Sequence, residues 1–264
     1  MPTDGPLLAA HLLGTFRVSI DGVPVDLTAR RRARQVLAYL FVHRRVAVPR
    51  DVLTDLFWPD AGPAAARNNL HVTLTGIRRA LAAAHPAAIV ERRFDAYRLG
   101  GPAVIWTDVE QFEQSRAGGQ LAERRGDRAE ALRCLEAACQ LYGGEFLADE
   151  PYADWAVPFR EALRLDAVDA LSALVERYAE QGAYGPASVL ARRSLTIDPC
   201  NEAVHRRLMT CYAATGQRHL ALSQYHRLAD LLWSTYRVRP AAPTTELFEQ
   251  LRHPRHEHLA RLAS

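Results

Sequence analysis

A mainly helical fold with a small β component is expected for this chain of 264 residues, and three observations carry that expectation. Residues 1–105 read as a hairpin, three helices and a second hairpin in succession. Further along, a set of Leu, Tyr, Gly and Ala positions recurs at a spacing of 34 residues. Charge is also divided: residues 1–105 hold 14 Arg against 8 Asp plus Glu, a balance of +6, whereas residues 106–264 hold 19 against 22, a balance of −3. Together these predict a winged helix-turn-helix domain over 1–105, followed by an all-α, tetratricopeptide-like repeat domain over 106–264.

The first element is a β-hairpin. His11 to Ile20 (HLLGTFRVSI) has strand-like apolar content, Asp21-Gly22 supplies a turn, and Val23, Val25 and Leu27 alternate with Pro24 and Asp26. From Ala29 the period becomes helical, with Val36, Leu37, Leu40 and Phe41 forming a stripe behind Arg30, Arg31, Arg32 and Arg34, and this helix should end near His43. Pro49 suits the first turn of a second helix, whose core positions are Val52, Leu53, Leu56 and Phe57 and which Trp58-Pro59 stops. Asp60 to Pro63 reads as a loop.

A third helix is expected from Ala64 to Ala84, because Leu70, Leu74, Ile77 and Leu81 recur at steps of four, three and four. At 100° per residue, Asn68, Val72, Thr75 and Arg79 fall opposite that stripe, with His71 and Arg78 flanking them. Two short strands follow around Phe94-Asp95-Ala96, then a Gly100-Gly101-Pro102 break and an edge strand at Val104-Ile105. A hairpin closing a three-helix unit is a winged helix, and Arg92 and Arg93 fall near its wing tip.

That third helix has the residue types for reading DNA. A helix fits the major groove, which distinguishes all four base pairs, and Arg favours guanine while Asn favours adenine. Arginines on the wing and on the first helix would hold register through phosphates. A solvated polar helix face is the plain alternative, and the positive balance of residues 1–105 together with the element order argues against it.

In the second half, Leu174, Tyr178, Gly182 and Ala187 recur as Leu208, Tyr212, Gly216 and Ala221. The period is that of the tetratricopeptide repeat, with glycine turning the chain between two antiparallel helices and alanine allowing them to approach closely. Pro199 falls where such a repeat places its proline, while the next unit carries Trp233 there. A weaker copy surrounds Gly126 and Ala131, and its spacing of 56 to the next unit requires an insertion before Glu180.

Other functions find little support. No apolar run approaches the roughly 18 residues of a membrane span and no leader pattern opens the chain, so a cytoplasmic protein is expected. Cys134, Cys139, Cys200 and Cys211 lack CxxC spacing and read as free thiols. His253, His256 and His258 form a cluster, but it lacks paired carboxylates and reads as a solvated tail, with no metal. Neither a nucleophile elbow nor a GxxxxGK[ST] loop occurs, so no enzyme and no cofactor are expected.

The motifs LLGTFRVSIDGVPVDL, RARQVLAYLFVHR, LTDLFWPD and ARNNLHVTLTGIRRAL, followed by WTDVEQFEQ, LYGGEFLADEPYADWA and RPAAPTTELFEQL, cover nearly the whole chain in order. On them the sequence resembles the actinomycete antibiotic regulatory protein family (SARP-type activators), which joins an OmpR-like winged helix to a bacterial transcriptional activation domain. The resemblance implies an activator that binds repeated promoter sites as a dimer, recruits RNA polymerase and switches on secondary-metabolite genes. By position it implies a recognition helix over 64–84, with Arg67, Asn68, His71, Thr75, Arg78 and Arg79 nearest DNA. Arg92, Arg93, Arg30 and Arg31 would support them from the wing and the first helix. The loop with Trp58, Asp60 and Gly62 stands where this winged-helix class meets polymerase. The alternative is a protein-interaction scaffold that uses its repeats without binding DNA.

Overall fold

A computed structural model describes residues 5–27, 31–87 and 89–253. Arg30, His256 and His258 lie outside them. The chain separates into two compact units, one made of Met1–Ser115 with Gln140–Leu163 and the other of Arg116–Cys139 with Arg164–Ser264.

The first unit opens with a sheet larger than the expected hairpin. Strands β1 (Leu7–His11), β2 (Arg17–Ile20) and β3 (Val23–Pro24) run antiparallel, and β7 (Val104–Thr107) lies parallel to β1 at the edge. His11 to Ile20 is therefore two strands rather than one. Between them Leu12 and Leu13 leave the ladder: Leu12 N–H donates to both carboxylate oxygens of Asp108 (2.8 and 2.9 Å) and Leu13 N–H donates to Oδ2 (3.0 Å). The turn at Asp21-Gly22 forms with both φ positive, 48° and 81°, as a type I′ two-residue hairpin requires.

Helices α1 (Arg31–Val42), α2 (Arg50–Phe57) and α3 (Pro63–Ala84) follow, with the short strand β4 (Val48–Pro49) before α2. Helix α3 begins one residue earlier than expected because Pro63 takes its first turn, where a missing N–H leaves no bond unmade. The apolar stripes meet in one core: Val36, Leu37 and Phe41 from α1, Leu53 and Phe57 from α2, and Leu70, Leu74, Ile77 and Leu81 from α3 are all buried. The wing is β5 (Val90–Arg93) with β6 (Ala96–Leu99), and β4 pairs with β6 to make a three-stranded sheet.

The remaining helices are α4 (Asp108–Arg124), α5 (Arg128–Leu141), α6 (Val157–Glu180), α7 (Tyr184–Ile197), α8 (Glu202–Ala214), α9 (Arg218–Tyr236) and α10 (Ala242–Arg252), with a 3-10 turn at Asp154–Ala156. The repeat positions behave as repeats. Gly182 and Gly216 end their helices at φ of 72° and 74°, a left-handed backbone that costs glycine little. Ala187 and Ala221 are wholly buried where the helices cross, as is Ala131 in the weaker copy. Trp233 does not stop α9, which continues to Tyr236 and ends at Arg237 in the left-handed region (φ 59°).

The insertion behind the spacing of 56 has a structural use, since Gln140–Leu163 belongs to the first unit. Leu147 N–H donates to the Leu12 carbonyl (2.8 Å) and Ala148 N–H to that of Gly14 (2.9 Å), so the segment docks on the chain between β1 and β2. All four cysteines are free, and burial pushes the Cys139 thiol up to about 11.

Within the repeats, His205 is buried on α8. Its Nε2–H donates to the Pro199 carbonyl (2.9 Å), and Nδ1 accepts from the Gln224 amide (2.7 Å), a pairing that suits the neutral ring. Burial holds its pKa below the usual histidine value, with the Arg227 charge acting the same way against the Pro199 bond, Glu202 and Asp198. The unfolded chain therefore binds this proton first as pH falls, so the stability from His205 is complete above about 6.5 and declines below it. Thermal denaturation at pH 7 and pH 5 is expected to show a smaller difference for His205→Gln than for the wild type.

Candidate nucleic-acid interface

Helix α3 buries Ala66, Leu70, Leu74, Ile77 and Leu81 and turns the rest of its surface outward. Arg67, Asn68, His71, Thr75 and Arg79 are exposed on that outer face. None of the 22 residues of α3 is acidic. Among the described residues, Arg67 and Arg79 form no ion pair, so their positive charge is not neutralised locally. The helix begins at Gly62 without a side-chain cap, which leaves backbone N–H groups at its positive end.

Arg78 is placed differently. It is half-buried, and its Nε–H donates to the Val90 carbonyl of β5 (3.3 Å), which ties the recognition-type helix to the wing. Arg31 also has an internal partner: its Nε lies 3.1 Å from Oε2 of the buried Glu150. On the wing, Arg92 donates from Nε to the Phe94 carbonyl (2.9 Å) and from Nη2 to Asp95 (3.2 Å). Arg93 stands 3.5 Å from Glu91, whose carboxyl Arg98 and the Gly101 N–H hold below the usual carboxylate range.

The loop between α2 and α3 divides its residues between packing and display. The Trp58 ring is half-buried against Phe57 (6.2 Å between centroids), with the Arg32 guanidinium 5.8 Å from it. Asp60 and Gly62 are exposed.

A family model described as the bacterial transcriptional activator domain matches residues 107–252. The chain belongs to this family. Among its relatives, the transcriptional regulatory protein MoaR1 of Mycobacterium tuberculosis is 27% identical over 244 residues, covering 91% of this chain and 78% of that one. The regulatory protein DnrI of Streptomyces peucetius is 29% identical over 248 residues, covering 90% and 86%. The solved structure of Mycobacterium tuberculosis EmbR in complex with a low affinity phosphopeptide superposes at a TM-score of 0.75 with 26% identity. That match covers 94% of this chain and 65% of EmbR, so this chain spans just under two thirds of EmbR. With its winged helix and its activator domain, the protein is a transcriptional regulator of the SARP type.

In this regulator the structure also brings out residues outside the set named for DNA contact by position, two at the outer face of α3 and one on the wing. Val72 is 61% exposed in the middle of that face, where an apolar side chain suits a thymine methyl group. Its helical phase signalled this position, but only the structure shows that no neighbour covers it. Arg32 reaches the same surface, lining a hollow of about 570 Å³ with His71, Val72, Thr75 and Arg79. Nothing in the cluster of Arg30, Arg31, Arg32 and Arg34 separated Arg32 from Arg31, because their roles follow from which neighbour each meets. Phe94 at the wing tip is the third, and it is 98% exposed.

These placements separate structural arginines from displayed ones. Replacing Arg78 with Met should lower stability by about 0.5–1.5 kcal/mol through the lost hydrogen bond to the wing. Arg79→Ala should change it by no more than about 0.5 kcal/mol, as expected of an exposed residue without a partner. Thermal denaturation of the two variants checks the distinction.

Proposed function

We propose that the protein is a sequence-specific DNA-binding transcription activator that recognises repeated promoter sites and recruits RNA polymerase. Secondary-metabolite biosynthesis genes are its proposed targets. The observation that carries this reading is the acid-free outer face of α3, where Arg67, Asn68, His71, Thr75 and Arg79 are exposed together. In the major groove these side chains, with Val72, would meet base edges and thymine methyls, and bidentate Arg or Asn contacts would supply the discrimination between sequences. Arg78 would act by holding the wing against α3. Arg92 and Arg93 keep unused N–H donors beside their carboxylate partners, and with Arg32 they would contact phosphates and set register. Arg31, bound to Glu150, would support α1 first and phosphate second, and Arg30 stays in the proposal by sequence position alone.

Residues 1–105 form the proposed DNA-binding domain and 106–264 the activation domain. Repeated sites call for two copies of the chain, so a homodimer on DNA belongs to the same reading. The loop of Trp58, Asp60 and Gly62 is the proposed polymerase contact, with Asp60 exposed on it. A cytoplasmic location and the absence of a reaction or cofactor follow from this role. No described helix is long and apolar enough to cross a membrane.

A gel-shift titration against promoter DNA from the gene neighbourhood, at two salt concentrations with random-sequence competitor, tests the reading. Competitor-resistant binding that weakens steeply with salt is expected, because phosphate contacts release counterions. Arg79→Ala should cost about 1–3 kcal/mol on the specific site and less on random DNA. Absence of binding at the lower salt would leave the repeats as a protein-interaction scaffold. For the loop, Asp60→Ala should retain promoter binding but lose activation in a purified transcription assay. Loss of DNA binding to the same degree would remove Asp60 from the polymerase contact.

A further inference from the structure

Phe94 combines two features that a hairpin tip has reason to avoid. Its φ is 53°, in the left-handed region where a side chain crowds the backbone, and its ring is 98% exposed. Two-residue hairpin turns of this kind favour Asn, Asp or Gly, which accept positive φ and water without difficulty. Neither feature helps the wing to fold.

The tip is also held firmly. Arg92 donates from Nε to the Phe94 carbonyl (2.9 Å). Asp95 Oδ1 accepts from Arg92 Nη2 (3.2 Å) and from Arg50 Nη1 (3.1 Å), while the Arg50 backbone N–H donates to the Asp95 carbonyl (2.7 Å). Arg50 begins α2, so the wing tip is fastened to the helix pair whose second member is α3. The ring is therefore presented on a braced turn, with three arginines, Arg50, Arg92 and Arg93, around its base.

We propose that Phe94 is an apolar wedge for duplex DNA, packing into the minor groove beside the major-groove segment occupied by α3. This inference rests on the DNA-binding reading above. The occupant follows from the surroundings: flanking guanidinium groups retain N–H donors for phosphates on either side of a groove, and an aromatic ring can press on the exposed edge of a base step between them. Strain at the tip is then the means by which the ring points away from the wing instead of folding onto it.

The test uses the full chain with Phe94→Asn, which suits the turn and removes the ring, and Phe94→Leu, which keeps an apolar group. Thermal stability of Phe94→Asn should equal or exceed that of the wild type, because the turn is relieved. Affinity for the promoter duplex should fall about tenfold, with the slope of affinity against salt unchanged, since no phosphate contact is lost. Phe94→Leu should retain most of the affinity, and 2-aminopurine placed at the contacted step should lose part of its fluorescence response with Phe94→Asn. Wild-type promoter binding with unchanged affinity for Phe94→Asn would overturn the wedge alone. If that variant instead lost only self-association in sedimentation, the ring would be a contact between copies, which also overturns it. Failure of the wild type to bind the promoter would overturn the DNA reading and the wedge together.

Discussion

The carboxylate of Glu150 is the interaction on which the N-terminal unit depends. It is buried, and a buried charge is costly unless its oxygens are fully engaged. Here Oε2 is engaged twice, by the Gln35 amide at 2.8 Å and by Arg31 Nε at 3.1 Å, and Oε1 faces the Arg34 guanidinium charge at 3.8 Å. The neighbouring Asp149 accepts from the Phe16 N–H (3.0 Å) and pairs with Arg34. Helix α1 is thus fixed by residues more than a hundred positions away, and α3 packs on α1. A winged helix whose first helix is held by the insertion Gln140–Leu163 cannot be cut free at residue 105 without leaving Arg31, Arg34 and Gln35 short of partners.

This arrangement also sorts the positive charge. Arginines of α1 and the wing are largely engaged with Glu150, Asp149, Asp95 and Glu91, and Arg78 is engaged with a carbonyl. Those of α3 at positions 67 and 79 are not, and no acidic residue shares their helix. Arginine charge without a carboxylate partner therefore lies beside the base-compatible side chains of α3, even though the arginines of the region are spread over several elements. Asp108 shows the same economy in the sheet. Desolvation raises its pKa, but three backbone N–H groups from Leu12, Leu13 and Val109 oppose that shift and hold the end of β1 to the start of α4.

The repeats follow a simpler rule. Each unit buries alanine at the helix crossing and turns at a left-handed glycine, so the stack is specified by nearest neighbours alone. Core groups such as Val175, Ala187, Ala191, Val204 and Leu208 join successive helices, and Met209, Ala221 and Phe248 continue the core to α10. Trp233 in place of proline lets α9 run on until Arg237 reverses the backbone.

Much of this was legible in the sequence because it rests on local chemistry. Periodicity placed α1, α2 and α3 within a residue or two, Asp21-Gly22 and Phe94-Asp95 marked their turns, and the 34-residue recurrence of Leu, Tyr, Gly and Ala announced the helical repeats. Phase along α3 likewise put Asn68, Val72, Thr75 and Arg79 on one face with His71 and Arg78 flanking it, whereas Arg67 was named by the family resemblance. The division of His11–Ile20 into two strands could not be read, since its cause is a carboxylate 96 residues from Leu12. Nor could the membership of Gln140–Leu163 in the first unit, or the separate fates of Arg31, Arg32, Arg78 and Arg79. Sequence determines which faces are apolar and where the chain turns, because those depend on near neighbours. Tertiary structure alone decides which arginine meets a carboxylate, which meets a carbonyl and which is left to face solvent, because partners far apart in the chain become neighbours only after folding.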